Sequence, residues 1–283
     1  NLLGGGLPLG RTTLCVGNFG VGKTFFAQTA LANFQKRNFT TAYVDTERRY
    51  DPQFFEKSSI NIEKLFVIQP SSGENALDAC IFLIEQQFGI VVLDSIAALV
   101  PTVELEGTME DNTVASLARL LNKGLRKITE INTPSEDLKY KGTSFLAINQ
   151  MRSGIGPYTS YALPGGQGQQ YFSSILIRIM RGPFIEENGK RVGFYMKFTT
   201  DKNNLTEPYQ DCMLPFRFEG YIDTVGGLVE LAIDLGIIKQ RGSFYVLNND
   251  EDHLIHGKLA LVEHIKQNTE LFNSIKKKVY KDE

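Results

Sequence analysis

The octapeptide Gly17-Asn18-Phe19-Gly20-Val21-Gly22-Lys23-Thr24 constrains this 283-residue chain more than any other feature. It has the form GxxxxGK[ST], which works only between a strand and a helix. The flanking pattern supplies both. Residues 12–16 are a strand-like run, and Phe26, Ala27, Ala30, Leu31 and Phe34 recur behind the loop at helical spacing. Glycines let such a loop curl until its N–H groups converge on phosphate oxygens, and the helix N-terminus adds favourable partial charge. Lys23 is placed to neutralise β- and γ-phosphates, and the Thr24 hydroxyl to ligate Mg2+. The loop therefore implies a bound nucleoside triphosphate, ATP or a close analogue.

The rest of the first half reads as an α/β chain. Short apolar runs at 41–44, 65–68, 90–93 and 144–148 alternate with helix-period segments at 76–85 and 112–131. That alternation predicts a mostly parallel sheet flanked by helices. The run Ile90-Val91-Val92-Leu93 has no polar member, as expected of a central strand buried on both faces. Two further runs follow at 174–180 and 192–198, the second alternating like an antiparallel edge or hairpin strand. The pattern changes around Asp223-Thr224-Val225-Gly226-Gly227. We place a domain boundary there, giving a core of residues 1–222 and a small α+β domain of 223–283, with two or three helices around a strand at 244–247.

A net charge of −2 provides no global basic field, so nucleic-acid binding must come from a local patch. No apolar run approaches the ~18 residues of a membrane span. The three cysteines, Cys15, Cys80 and Cys212, are far apart and lack CxxC spacing. They read as buried reduced thiols, which favours a reducing, cytoplasmic setting.

In a parallel sheet the functional groups gather outside the C-terminal strand ends. Asp94 ends the run 90–93, where a carboxylate would face the phosphate loop and hold the metal, through water. Glu47 ends the run 41–44 and could orient an attacking water. Gln150 ends the run 144–148 and could sense the γ-phosphate through its amide. Behind it, residues 151–171 form a long aperiodic stretch rich in glycine and tyrosine; compact domains seldom carry such a loop without a use.

Taken in order, these residues resemble the RecA-type recombinases, bacterial and phage ATPases that pair homologous DNA. The resemblance is carried by Leu7-Pro8-Leu9-Gly10-Arg11, the phosphate loop, Tyr43-Val44-Asp45-Thr46-Glu47 with Asp51-Pro52, and Leu93-Asp94-Ser95-Ile96-Ala97-Ala98-Leu99-Val100-Pro101. It continues through Glu104-Leu105-Glu106-Gly107, Ala147-Ile148-Asn149-Gln150-Met151-Arg152 and Gly165-Gly166, nearly the whole chain.

The resemblance implies a RecA-like ATPase core in which Glu47, Lys23 and Gln150 act catalytically, Gln150 as the switch toward the loop behind it. Asp51 and Phe54 fall where the family contacts and stacks on adenine, with phenylalanine replacing the usual tyrosine. Residues 104–111 and 151–171 match two DNA-binding loops. Arg119, Arg126 and Arg152 match basic positions that reach DNA, and Ile155, Gly156, Gly165 and Gly166 belong to the second loop. Lys202 resembles a lysine that reaches a neighbouring subunit's ATP. The implied partners are single- and double-stranded DNA and further copies of the chain in a helical filament, with ATP at subunit interfaces and no membrane.

Three departures stand out. Asn204 replaces the family's second lysine, and Tyr158, Tyr161 and Gln170 replace more usual residues of the second loop. The family's N-terminal helix that clips onto the next subunit has no counterpart after Asn1. Read from residues alone, helix 112–131 carries Arg119, Lys123, Arg126 and Lys127 off its apolar stripe, and the second loop offers glycines and tyrosines for sequence-independent contact. The leading expectation is an ATP-dependent recombinase that binds single-stranded DNA. A hexameric motor on the same core and a non-catalytic ATP-binding accessory are the alternatives.

Overall fold

Valine, isoleucine and leucine in runs of four or five have no polar face to offer water, so they fold where both faces of a sheet are covered. The computed structural model describes residues 2–108, 115–134, 141–152, 161–187, 189–247 and 254–280. Its first half alternates β1 (Arg11–Gly17), α1 (Lys23–Lys36), β2 (Thr41–Asp45), α2 (Pro52–Lys57), β3 (Leu65–Ile68), α3 (Gly73–Glu85), β4 (Ile90–Asp94), α4 (Thr102–Glu106), α5 (Ser116–Ile131) and β5 (Ser144–Gln150). Next come α6 (Gly168–Phe172), β6 (Ile175–Glu187), β7 (Lys190–Asn203) and β8 (Asp211–Arg217). The chain ends with β9 (Tyr221–Ile222), α7 (Thr224–Asp234), β10 (Lys239–Arg241), β11 (Phe244–Val246), β12 (Leu254–His256), α8 (Lys258–Gln267) and α9 (Thr269–Tyr280).

Two compact units result. The first comprises Asn1–Arg181 and Met196–Cys212, the second Gly182–Tyr195 and Met213–Glu283. The hairpin segment Gly182–Tyr195 therefore joins the second unit although it precedes the expected boundary near residue 222. In the first unit the strands run in the order β3-β2-β4-β5-β1-β6-β7. From β3 to β6 every neighbour is parallel, so β2, β4, β5 and β1 end on one edge. This is the mostly parallel α/β sheet that the alternation predicts.

The first unit's core lies between the sheet and helices α3 and α5. Leu14, Val16, Val91, Leu93, Phe145 and Ala147 of the strands meet Leu77, Cys80, Ile84, Leu121, Leu125 and Ile128. Each valine, leucine, isoleucine and phenylalanine among them contributes about 1.5–3 kcal/mol by leaving water. Local sequence sets the helix starts. Ser72 accepts from Asn75 N at the head of α3, and Asp51 accepts from Gln53 N at the head of α2, where Pro52 opens the helix. Helix α5 begins at Ser116; the N-terminal part of the 112–131 segment, residues 112–114, lies outside the described residues.

The second unit has its own core, built from Leu228, Val229 and Ala232 of α7, Leu261, Val262 and Ile265 of α8, and Ile275 of α9. Among the described residues it carries three helices, where two or three are expected. The strand expected at 244–247 is the middle of a three-stranded antiparallel sheet, β10-β11-β12. Among the described residues, no helix is long and apolar enough to cross a membrane.

Candidate nucleotide-binding site

The phosphate loop leaves β1 at Gly17 and enters α1 at Lys23. A side chain at residue 17 has no room, because its Cβ would stand 2.5 Å from the Ile179 carbonyl oxygen. Gly20 and Gly22 hold left-handed backbone at φ 69° and 92°, conformations that favour glycine. Helix α1 starts without a side-chain cap and with no acid in its first turn. Its leading N–H groups and its partial positive charge are thus left for an anion.

Lys23 is folded onto the loop, donating from Nζ to the carbonyls of Gly17 (3.0 Å) and Asn18 (2.8 Å). Burial lowers its pKa, against the opposing charges of Cys15, Asp94 and Glu47. Thr24 Oγ1 donates to Asp94 Oδ2 at 2.8 Å, and Tyr43 donates to the same oxygen from the neighbouring strand at 2.9 Å. Burial also pushes Asp94 up to about 6, although both hydroxyls and Lys23 oppose the shift. The ammonium and the carboxylate therefore each lack the solvation that a bound polyanion and cation would replace.

Glu47 lies at the adjoining strand end. Its Oε1 accepts from Ser95 Oγ (2.8 Å) and Gln150 Nε2 (3.1 Å), while its Oε2 pairs with Arg49 at 3.2 Å. The turn carrying it is fixed by Asp45, whose Oδ2 accepts from Tyr50 N and Gln69 Nε2. Thr46 locks the turn to β4 by exchanging hydrogen bonds with the Ser95 backbone, at 2.7 and 2.8 Å.

Behind Gln150, Met151 N donates to Gly17 O at 3.1 Å, so the second loop starts from the phosphate loop's own first glycine. Arg152 and Ala162 then form an antiparallel bridge that closes the loop's base. A buried amide pair supports this base. Asn149 Nδ2 donates to Pro164 O and to Gln169 Oε1, and Gln169 Nε2 donates to Pro164 O and Gly166 O. Gly165 and Gly166 turn the chain with left-handed backbone, and a Cβ at Gly165 would meet Leu121 at 2.6 Å.

The structure thus gathers Gly17, Lys23, Thr24, Asp94, Glu47 and Gln150 at one sheet edge. Other expected residues lie elsewhere or have other work. The Asp51 carboxylate caps α2, and Phe54 on that helix is 44% exposed. Lys202 does not join the phosphate loop; its Nζ donates to the carbonyls of Gln170 (2.9 Å) and Ser173 (2.6 Å) around the end of α6. Arg119 and Arg126 are exposed on α5, and Arg152 is exposed at the loop base. Ile155, Gly156 and Tyr158 of the second loop, and 109–111 of the first, lie outside the described residues.

Sequence reading missed Tyr43, Ser95, Arg49, Asn149 and Gln169. Tyr43 and Ser95 border the acidic strand ends, a position that could have flagged them. Gln169 has no such signal, because its partners are 5 and 20 residues away.

A phosphate loop joining strand to uncapped helix, with an acid ending a nearby parallel strand, defines the P-loop nucleoside triphosphatases. Within that class, residues 1–223 match the RecA N-terminal domain and residues 226–282 the RecA C-terminal domain. Protein RecA of Mesomycoplasma hyopneumoniae (strain J) is 34% identical over 281 residues, covering 97% of this chain and 80% of its own length. Protein RecA of Thermus aquaticus is 34% identical with the same coverages, and that of Aquifex aeolicus is 33% identical over 97% and 78%. The chain belongs to the RecA family. Its function is that of an ATP-dependent homologous recombinase and DNA-dependent ATPase, in DNA recombination and repair.

Proposed function

We propose that this site hydrolyses ATP with Mg2+ and that the hydrolytic state is passed through Gln150 to a DNA-binding second loop. The observation that carries the proposal is the shared oxygen of Glu47, which accepts from both Ser95 Oγ and Gln150 Nε2. A carboxylate held by three side chains can orient a water, and one of those side chains begins the loop.

The residues fit the metal. Thr24 Oγ1 and Asp94 Oδ2 lie 2.8 Å apart below an uncapped helix start, and no group of three or more His, Cys, Asp or Glu suited to a metal occurs among the described residues. Few protein oxygens, completed by phosphate and water, suit Mg2+. Held by Thr24 and Asp94, the ion would supply positive charge against the negative charge that develops on the phosphate.

The chain's residues do the rest. Backbone N–H groups of 17–24 and the head of α1 cradle the phosphates. Lys23 exchanges its two carbonyl partners for phosphate oxygens. Phe54 offers its exposed ring to the base, and Asp51 lies at the same helix end. Glu47 accepts a proton as the water oxygen bonds to the γ-phosphorus and the bond to the β–γ bridging oxygen breaks. Loss of the γ-phosphate frees Gln150 to change its hold on Glu47, and Met151 carries that change into the loop.

Single- and double-stranded DNA are the macromolecular partners, contacted at Arg119, Arg126, Arg152, Ile155, Gly156, Gly165 and Gly166. Copies of the chain assemble into a helical filament with ATP at their interfaces, where Lys202 would exchange its local carbonyls for a neighbour's nucleotide. Cys15 and Cys80 are buried free thiols as expected, whereas Cys212 is only partly buried; a reducing cytoplasm is the setting we propose.

The test is the ATPase rate with and without single-stranded DNA, with negative-stain imaging alongside. Glu47→Gln keeps an oxygen for Ser95 and Gln150 but removes the base. Turnover should fall at least about 100-fold, while nucleotide affinity stays within about threefold. Persisting hydrolysis in that variant, or no stimulation by DNA in the parent protein, would refute the reading.

A further inference from the structure

The second loop leaves the nucleotide site at Gln150 and Met151, and its returning half, bridged to the outgoing one at Arg152 and Ala162, is also held by two neighbouring residues of β7. Tyr161 donates its hydroxyl to Asp201 Oδ2 at 3.0 Å. Asp201 is in turn gripped from both sides by Arg178, with Nε to Oδ2 and Nη2 to Oδ1 both 2.7 Å. Such a bidentate pair fixes orientation as well as position. The next residue, Lys202, holds the carbonyls of Gln170 and Ser173 further along the same limb.

The anchor reaches the nucleotide site through the sheet. Arg178 stands opposite Val16 of β1, and the next pair in register is Gly17 with Ile179, whose carbonyl walls the first glycine of the phosphate loop. Burial and the Asp201 charge push the Tyr161 hydroxyl up to about 12, so it remains a donor at physiological pH. The Tyr161 hydroxyl is therefore already committed, whereas Tyr171 is 79% exposed.

We propose that Tyr161 is a positioning residue that ties the returning limb of the second loop, through Asp201 and Arg178, to the strand beside the phosphate loop, and that it is not a base-stacking tyrosine. The proposal rests on the reading of that loop as DNA-binding. It gives the base of the loop a second hold, on β7, besides the one at Gln150: the outgoing limb is tied to Glu47 through Gln150 and the returning limb to Asp201 through Tyr161.

The full chain and its variants Tyr161→Phe, Tyr161→Leu, Asp201→Asn and Tyr161→Phe/Asp201→Asn would be titrated with fluorescent oligothymidylate while ATPase is followed. Hydrogen exchange would be read on peptides covering 161–172. Losing one hydrogen bond to a charged acceptor should raise the DNA concentration for half-maximal ATPase about tenfold in Tyr161→Phe. The KM for ATP should move less than about twofold, because the triad touches no nucleotide group. Exchange in 161–172 should quicken, Asp201→Asn should match it, and the double variant should be no worse than either single one.

A stacking role predicts the reverse: Tyr161→Phe like the parent and only Tyr161→Leu defective. That pattern, or unchanged exchange in Tyr161→Phe, would overturn the anchor. Quickened exchange with DNA binding unmoved, in Tyr161→Phe and in Arg152→Ala alike, would instead overturn the DNA-binding reading of the loop. If Asp201→Asn leaves Arg178 too poorly paired to fold, the exchange and titration of Tyr161→Phe decide alone.

Discussion

Asn149 is fully buried and spends both ends of its amide on the base of the second loop. Its Oδ1 accepts from Gln150 N at 2.8 Å, and its Nδ2 donates to Gln169 Oε1 at 2.7 Å and Pro164 O at 2.9 Å. In Asn149→Ala, Pro164 O keeps Gln169 Nε2 as a donor at 2.7 Å. The Gln150 N–H and Gln169 Oε1 lose the partners they had. At about 1–3 kcal/mol for each polar group left unpaired in the interior, and with water entering the vacated space, the net cost is about 2–4 kcal/mol.

The loss should be local to the first unit. Native-state hydrogen exchange read on peptides covering 144–152 and 161–172 should quicken roughly 30- to 1,000-fold, the factor that this free energy sets. Peptides of α8 and α9, in the second unit's separate core, serve as the internal control and should not change. DNA stimulation of ATPase should fall more than basal turnover, because the damage lies between Gln150 and the loop. A cost below about 1 kcal/mol, or equal quickening in α8 and α9, would refute the claim that this amide pair is what supports the loop.

Tyr43→Phe removes one of the two hydroxyls on Asp94 and leaves Thr24 in place. We expect the protein to lose about 1–2 kcal/mol of stability in thermal unfolding, and the Mg2+ concentration for half-maximal ATPase to rise about three- to tenfold; an unmoved Mg2+ titration would separate Tyr43 from the metal. Phe54→Ala should weaken ATP binding about 5- to 100-fold, the range for an aromatic that stacks on a base, while inorganic triphosphate binds as before. Equal losses for both ligands would mean that Phe54 supports the fold and not the base.

What could be read from the sequence followed from local repetition. Residues 90–93 declared a central strand because nothing in them tolerates water, and β4 is buried throughout. Parallel strands share one functional edge, so placing Glu47 and Gln150 at strand ends already implied that they would be neighbours, and they meet at 3.1 Å. Features decided by partners distant in sequence were hidden. Lys202 resembles a lysine that reaches a neighbouring subunit's ATP, and nothing near it in sequence announces the carbonyls it holds in this chain, 29 to 32 positions earlier. Tyr161 reads as one of three interchangeable tyrosines until Asp201, 40 residues on, claims its hydroxyl. The strands β10 and β12, three residues each, were too short for any alternation to show.

The single carbonyl of Gly17 joins the legible and the hidden parts. It accepts from Lys23 Nζ on the nucleotide side and from Met151 N on the loop side. A phosphate that draws Lys23 away takes one donor from that oxygen and leaves the other, and the bond to Met151 then has the oxygen to itself. On the proposed function, arrival of nucleotide would strengthen the bond from Met151 N at the same atom that releases the lysine, while Gln150, one residue earlier, holds Glu47. Two neighbouring residues thus end on different groups, Met151 on the first carbonyl of the phosphate loop and Gln150 on the carboxylate beside it. A loop rooted there would sense both whether nucleotide is bound and whether its γ-phosphate remains.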